Sequence, residues 1–151
     1  MAVVDFSIKQ SRQYRVASIK GKVPWSEATL KAGFRELAKW TKARGIPTGK
    51  WLILSRGRVT WEACLEIKRP ARGEGKIHVT VLPATMVAAI TFDPRQVSPR
   101  VIYHGMLDFL KWRRKAKEIR SVGYTREVYD GDPWSSSEAW SRATVEYIVR
   151  K

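Results

Sequence analysis

An internal repeat is the sequence feature that most constrains the fold. Residues 13–25 (QYRVASIKGKVPW) and 84–94 (ATMVAAITFDP) both alternate apolar and polar residues and both end at a proline-marked turn. Each is followed by a segment with helical periodicity, and the pairs Lys39-Trp40 and Lys111-Trp112 occupy matching places 72 residues apart (112 − 40). Self-similarity at a fixed spacing predicts that the chain contains one unit twice.

The two helices are predicted over residues 26–44 and 99–120. The first has a stripe of apolar or weakly polar residues at i, i+4, i+7 and i+11, namely Leu30, Phe34, Leu37 and Thr41. The second has a comparable stripe, formed by Ile102, Met106, Phe109 and Leu110. Gly45 has the conformational freedom that the residue after a helix needs, so it predicts the end of the first helix.

Strand-like segments flank both helices. A short strand opens each half, at residues 4–10 and 76–82, and two strands follow each helix, at 50–55 and 61–69 and at 125–130 and 142–150. Each half is therefore β-β-α-β-β. Because neither half could cover both its helix and its sheet alone, we expect one α+β domain over residues 1–151, with pseudo-symmetric halves at about 1–70 and about 75–151. The interface between such halves is a natural place for a ligand groove.

Composition and charge exclude several classes of function. The chain of 151 residues carries a net charge of +15, has one cysteine (Cys64), and has no apolar run long enough to cross a bilayer. We therefore expect no membrane partner, no disulfide and no cysteine zinc site, and the N-terminus predicts no signal peptide, which favours a cytoplasmic protein. His78 and His104 lack acidic residues at a telling spacing, so we predict no metal site and no cofactor. The positive charge admits a nucleic-acid or acidic partner, but without a nucleic-acid motif a solvated basic surface is favoured.

Several segments in order resemble the GyrI-like small-molecule-binding domain, which is also the effector-binding domain of multidrug-responsive transcription regulators. They are FSIKQ (6–10), VPWSEATLKAGFRELAKW (23–40), GIPTGKWLIL (45–54), REVY (126–129) and ATVEYIV (143–149). The resemblance implies one curved antiparallel sheet with two helices and a central groove for hydrophobic, often cationic compounds. It also implies a pocket acid, which by motif position is Glu127, with Glu146 as the second candidate.

The residues around Glu127 suit this role on physical grounds. In a strand, Glu127 and Tyr129 point to the same face, and aromatic rings beside a carboxylate attract a lipophilic cation. The alternative is a surface glutamate paired with Arg126, Arg142 or Lys50, and for Glu146 the alternative is a cross-strand ion pair. Tryptophans near strand ends and turns are expected to wall the groove, namely Trp25, Trp51, Trp61, Trp134 and Trp140.

Three functions are compatible with this sequence, in order of preference. The first is a free-standing binder of hydrophobic or cationic compounds, since strand-like sequence begins by about residue 4 and leaves no helix-turn-helix ahead of it. The second is a hydrolase that opens cyclopropanoid DNA-alkylating compounds, as some GyrI-like proteins do, with Glu127 activating water and Tyr129 or Glu146 assisting. The third is a nucleic-acid or protein interaction module. The sequence does not determine the oligomeric state.

Overall fold

The computed structural model describes residues 6–22, 26–55, 60–135 and 142–150. These residues form two helices, α1 (Glu27–Ala43) and α2 (Pro99–Lys115), and eight strands. The strands of the first half are β1 (Ser7–Gln10), β2 (Tyr14–Lys22), β3 (Thr48–Ser55) and β4 (Thr60–Ile67). Those of the second half are β5 (His78–Leu82), β6 (Met86–Phe92), β7 (Ser121–Tyr129) and β8 (Ala143–Arg150). The predicted element order is confirmed.

All eight strands belong to one antiparallel sheet whose order reflects the repeat. The order is β1-β6-β8-β7-β3-β4-β2-β5, and exchanging each strand for its counterpart in the other half gives the same order reversed. β3 and β7 meet at the centre. The first strand of each half lies at the outer edge of the other half, because β1 pairs with β6 and β5 pairs with β2. Each half therefore completes the sheet of its partner.

Both helices cover the same face of this sheet. A row of directly paired residues crosses six strands on that face: Ile19, Ala63, Ile53, Glu127, Val145 and Ile90. At one end of the row Ile19, Ala63 and Ile53 pack in one cluster with the buried stripe of α1, and at the other Val145 and Ile90 pack with the stripe of α2. The two helices thus lie side by side over opposite halves of the sheet, and the centre of the row lies between them.

The two helices end in the same way, although α2 is shorter than its sequence predicts. In α1 the N–H groups of Gly45 and Ile46 donate to the carbonyls of Lys42 and Thr41, which is a Schellman motif. The equivalent bonds end α2 at Lys115, so the prediction of a helix to residue 120 is wrong. Gly45 has φ 61° and its counterpart Lys117 also has φ 61°. This left-handed backbone costs a lysine on the order of 1 kcal/mol more than a glycine.

The opposite face of the sheet carries an apolar cluster of its own. This cluster joins residues of five strands, including Val16, Leu52, Cys64, Leu82 and Val128. None of the helices in the described ranges is both long enough and apolar enough to span a membrane.

Candidate functional site

A cavity of about 230 Å³ lies on the helix-covered face, between the N-terminal ends of α1 and α2. Its walls are mostly apolar and come from both helices, from the four strands β3, β6, β7 and β8, and from the turns before α2 and after β7. They include Leu30, Ile53, Phe92, Pro99 and Val145. The groove that the repeat predicts between the two halves is therefore present in the structure.

Glu127 is the polar centre of this cavity. It lies in the middle of the cross-strand row, between Ile53 on β3 and Val145 on β8, where every other member is buried and apolar. Its side chain is half-buried. Among the described residues no basic side chain forms an ion pair with it, and none lines the cavity. A carboxylate in apolar surroundings is costly unless hydrogen bonds or a cation compensate it.

Two tyrosines supply those hydrogen bonds. Tyr103 of α2 donates its hydroxyl to Glu127 Oε1 at 2.6 Å, and Tyr129 of β7 donates to Oε2 at 3.0 Å. Burial raises the pKa of both phenols far above the usual value, and the negative charge of Glu127 raises the pKa further. Both hydroxyls therefore remain protonated and act as hydrogen-bond donors to the carboxylate oxygens.

Trp134 and Glu27 form the outer rim of the cavity. The indole Nε1 of Trp134 donates to Glu27 Oε1 at 2.9 Å, which ties the turn after β7 to the first turn of α1. The ring of Trp134 also packs on Phe34, with ring centroids 5.6 Å apart, and Phe34 stacks on Trp51 at 4.8 Å. The cavity is thus lined by two carboxylates and several aromatic rings within a protein of strong positive charge.

Several solved structures of other proteins share this architecture. The C-terminal domain of EcmrR superposes with a TM-score of 0.79 at 17% identity, over 99% of both chains. In the cryo-EM structure of an EcmrR–DNA complex, the match spans 98% of this chain and 58% of the EcmrR chain. The chain has a GyrI-like fold.

Two further structures share the GyrI-like fold at lower similarity. A hydrolase encoded by lin2189 from Listeria innocua matches with a TM-score of 0.60 at 12% identity, over 95% of this chain and 91% of that one. SAV2435 bound to tetraphenylphosphonium matches with a TM-score of 0.54 at 11% identity, over 97% and 94%. No protein-family model matches the sequence, and no curated protein matches it.

The other site residues predicted from the sequence lie in different places. Trp134 lines the cavity, and Trp51 lies behind it against Phe34. Trp61 is buried in the core under α1, where its ring packs over Gly21, so it does not reach the cavity. Trp25 and Trp140 lie outside the described residues.

Glu146 points to the opposite face of the sheet. Arg126, its direct cross-strand neighbour, donates from Nε to Glu146 Oε1 at 2.5 Å, and both side chains are buried. The GyrI-like resemblance had made Glu146 the second candidate for the pocket acid, but the structure shows the cross-strand ion pair that was its alternative. The reason is that successive residues of a strand point to opposite faces of the sheet. Arg126 and Glu146 form the cross-strand pair next to that of Glu127 and Val145, so their side chains point to the other face.

Tyr103 is the cavity-lining partner of Glu127 that the sequence prediction missed. It lies three residues before Met106 and seven before Leu110, so it shares the buried side of α2 with both. The sequence shows this spacing. It does not show the contact between Tyr103 and Glu127, because that contact depends on how α2 packs on β7. In the described part of the chain, no group of three or more histidine, cysteine or acidic residues could hold a metal ion.

Proposed function

We propose that this protein binds small hydrophobic cations in the cavity between α1 and α2, with Glu127 as the group that recognises the charge. The observation that carries the proposal is the environment of Glu127. It is a half-buried carboxylate, fixed by Tyr103 and Tyr129, set in an apolar row and without a basic partner among the described residues. A bound cation would supply the missing positive charge.

The rest of the cavity suits a hydrophobic body. Aromatic ring faces attract cations, and apolar walls favour ligands that bury carbon surface. Phe92, Trp134 and the two tyrosines supply the rings, and Leu30, Ile53 and Val145 supply aliphatic surface. The fold also supports the proposal, because SAV2435, which shares it, was solved with tetraphenylphosphonium, a hydrophobic cation.

A direct test compares two ligands of one shape. Benzyltrimethylammonium and neopentylbenzene differ only in a charged nitrogen in place of a carbon, and both are small enough for this cavity. Titration followed by ligand-observed NMR should show at least about tenfold tighter binding of the cation, the scale of one charged interaction. Equal affinity for the two compounds would contradict a charge-recognising site.

The second candidate is a hydrolase acting on cyclopropanoid compounds in the same cavity. The observation that favours it is the pairing of a carboxylate with protonated phenols. Glu127 would take a proton from a water whose oxygen attacks a cyclopropane carbon. The ring C–C bond would break, and its electron pair would pass to a carbonyl oxygen conjugated with the ring, to which Tyr103 or Tyr129 would donate a hydrogen bond. Against it, each phenol has a single hydrogen that is already donated to Glu127, so one tyrosine would have to release the carboxylate to reach the substrate. Turnover of a simple cyclopropanoid by the purified protein would favour the hydrolase.

A further inference from the structure

A basic groove follows the C-terminal half of α2 and the turn after it. It consists of two open hollows of about 530 and 440 Å³ that share Arg114. The first is lined by Leu107, Leu110, Lys111, Arg114, Lys115 and Tyr147, and the second by Arg114, Lys117, Ile119 and Arg120. We refer to these nine residues as the α2 groove. It is separate from the cavity of Glu127, with which it shares no lining residue.

The α2 groove concentrates positive charge. Its described lining includes five basic side chains and no acidic one. Glu118, the acidic residue in the turn after α2, binds Arg113 at 2.6 Å instead. The negative end of the helix dipole accounts for basic residues in the last turn, Arg114 and Lys115. The helix dipole does not account for Lys117 and Arg120, because both lie beyond the end of α2. Their positive charges add to the repulsion among the basic side chains of the groove.

An exposed tryptophan borders the groove. Trp112 is 69% exposed, and Lys115 Nζ lies 5.6 Å from the centre of its ring. The equivalent tryptophan of the first half, Trp40, is only 8% exposed, packs in the core and directs its Nε1 towards Glu74 at 3.4 Å. The same position of the repeat is therefore structural in α1, whereas in α2 its ring faces solvent beside the basic groove.

The backbone conformation of Lys117 is a further unusual feature of this groove. Its counterpart in the first half is Gly45, and both residues have φ 61°. Glycine adopts this conformation without strain, whereas a lysine pays for it. When a residue that lines a surface cavity has an unfavourable backbone conformation, the strain is a reason to examine that cavity for function.

We propose that the α2 groove binds single-stranded nucleic acid. Five cations along a concave path match the repeated phosphates of a flexible strand, and an exposed ring at the edge offers a platform on which an unpaired base can stack. A duplex keeps its base faces stacked inside and leaves Trp112 without a partner. A bilayer is flat and cannot enter a hollow, and an acidic peptide lacks planar bases for the ring.

The first test measures the salt dependence of binding. Fluorescence anisotropy of a labelled twelve-nucleotide oligothymidylate, across a salt series, should give a log–log slope of up to about −3.5 if all five cations meet phosphates. The double variant Lys111→Gln/Arg114→Gln should reduce that slope by about 1.4. The matched control is Lys39→Gln/Lys42→Gln, which removes two exposed charges at the equivalent positions of α1 and should leave the slope unchanged.

Two further variants test the contributions of Trp112 and Lys117 to binding separately from the effect of surface charge. Trp112→Ala should weaken oligothymidylate binding at least about fivefold, yet leave binding of an abasic strand of equal length unchanged, since only bases stack. Lys117→Gly should raise Tm by relieving the backbone while weakening binding. A merely structural lysine would raise Tm without any loss of binding.

Three results would overturn this proposal. Polyglutamate binding as tightly as the oligonucleotide, with no effect of Trp112→Ala, would identify an acidic protein as the partner. Binding to phosphatidylglycerol vesicles but not to the oligonucleotide would identify a membrane surface. Equal losses from the α1 and α2 double variants would show that diffuse surface charge, not the α2 groove, attracts the strand. Glu127→Gln should leave oligonucleotide binding unchanged in every case, which keeps this test separate from the proposed cation site.

Discussion

Glu127→Gln is the substitution that most directly tests the cation site. Glutamine keeps the shape of the side chain and still accepts a hydrogen bond from Tyr103 or Tyr129, so the cavity should keep its form. Only the negative charge is lost. A specific effect on cationic ligands is therefore expected, without a general effect on folding.

The structure sets the size of that effect. Two unit charges about 4 Å apart interact by about 4 kcal/mol at the effective dielectric of a partly exposed site, and the cost of desolvating both groups offsets part of this. Glu127 is half-buried and already accepts hydrogen bonds at 2.6 and 3.0 Å, which spreads its charge. We expect a net loss of about 1–3 kcal/mol for a monovalent cation, an increase in Kd of about 5- to 150-fold. For the neutral isostere the change should be less than about twofold.

The assay is the same paired titration of benzyltrimethylammonium and neopentylbenzene, applied to the wild type and to Glu127→Gln. Asp108→Asn is the matched control, because it removes one exposed negative charge from α2 outside the cavity lining. Screening over about 8 Å at physiological salt should make that control silent. Equal losses for both ligands would indicate a damaged cavity, and no loss for the cation would refute the role of Glu127 as the charge-recognising group.

Three further predictions concern the stability of the fold around the site. The pKa of Tyr103 is raised mainly by burial, so above about pH 10 the unfolded chain ionises this phenol while the native state does not. Tyr103 alone should then lower the free energy of unfolding by up to about 1.4 kcal/mol per pH unit, and Tyr129 should add to this fall for the same reason. Tyr103→Phe should make the fall less steep in urea titrations between pH 9 and 11. Glu146→Gln should cost about 3–5 kcal/mol by leaving the buried charge of Arg126 unpaired, whereas Arg126→Met combined with Glu146→Leu should recover most of that loss in chemical denaturation. Gly21→Ala should lower Tm, because the new methyl group would lie 2.0 Å from a buried indole ring; Gly33→Ala, whose nearest contact would be 3.7 Å, should be neutral or stabilising in the same thermal scans.

Local patterns in the sequence were enough to predict the elements of the fold. Leu30, Phe34 and Leu37 recur at helical spacing and are buried on α1 as that spacing requires. Gly45 ends α1 because few other residues adopt its backbone conformation without strain. The repeat, with matching positions 72 residues apart, predicted two copies of one unit. The strand order agrees with it, because exchanging the strands of the two halves gives the same order reversed. These features depend on neighbours within a few residues or on comparison of the chain with itself.

Only the tertiary structure decided which side chains meet. Trp40 and Trp112 have the same place in the repeat, yet one is buried and the other exposed, because burial depends on what packs against each helix. Glu127 and Glu146 both lie in apolar strands, but their rows face opposite sides of the sheet, and the pairing of β7 with β8 fixes those rows. Tyr103 reaches Glu127 across 24 residues of sequence, through the packing of α2 on the sheet. Periodicity assigns a residue to a face of its own element, whereas a binding site depends on which faces are brought together, and distant contacts determine that.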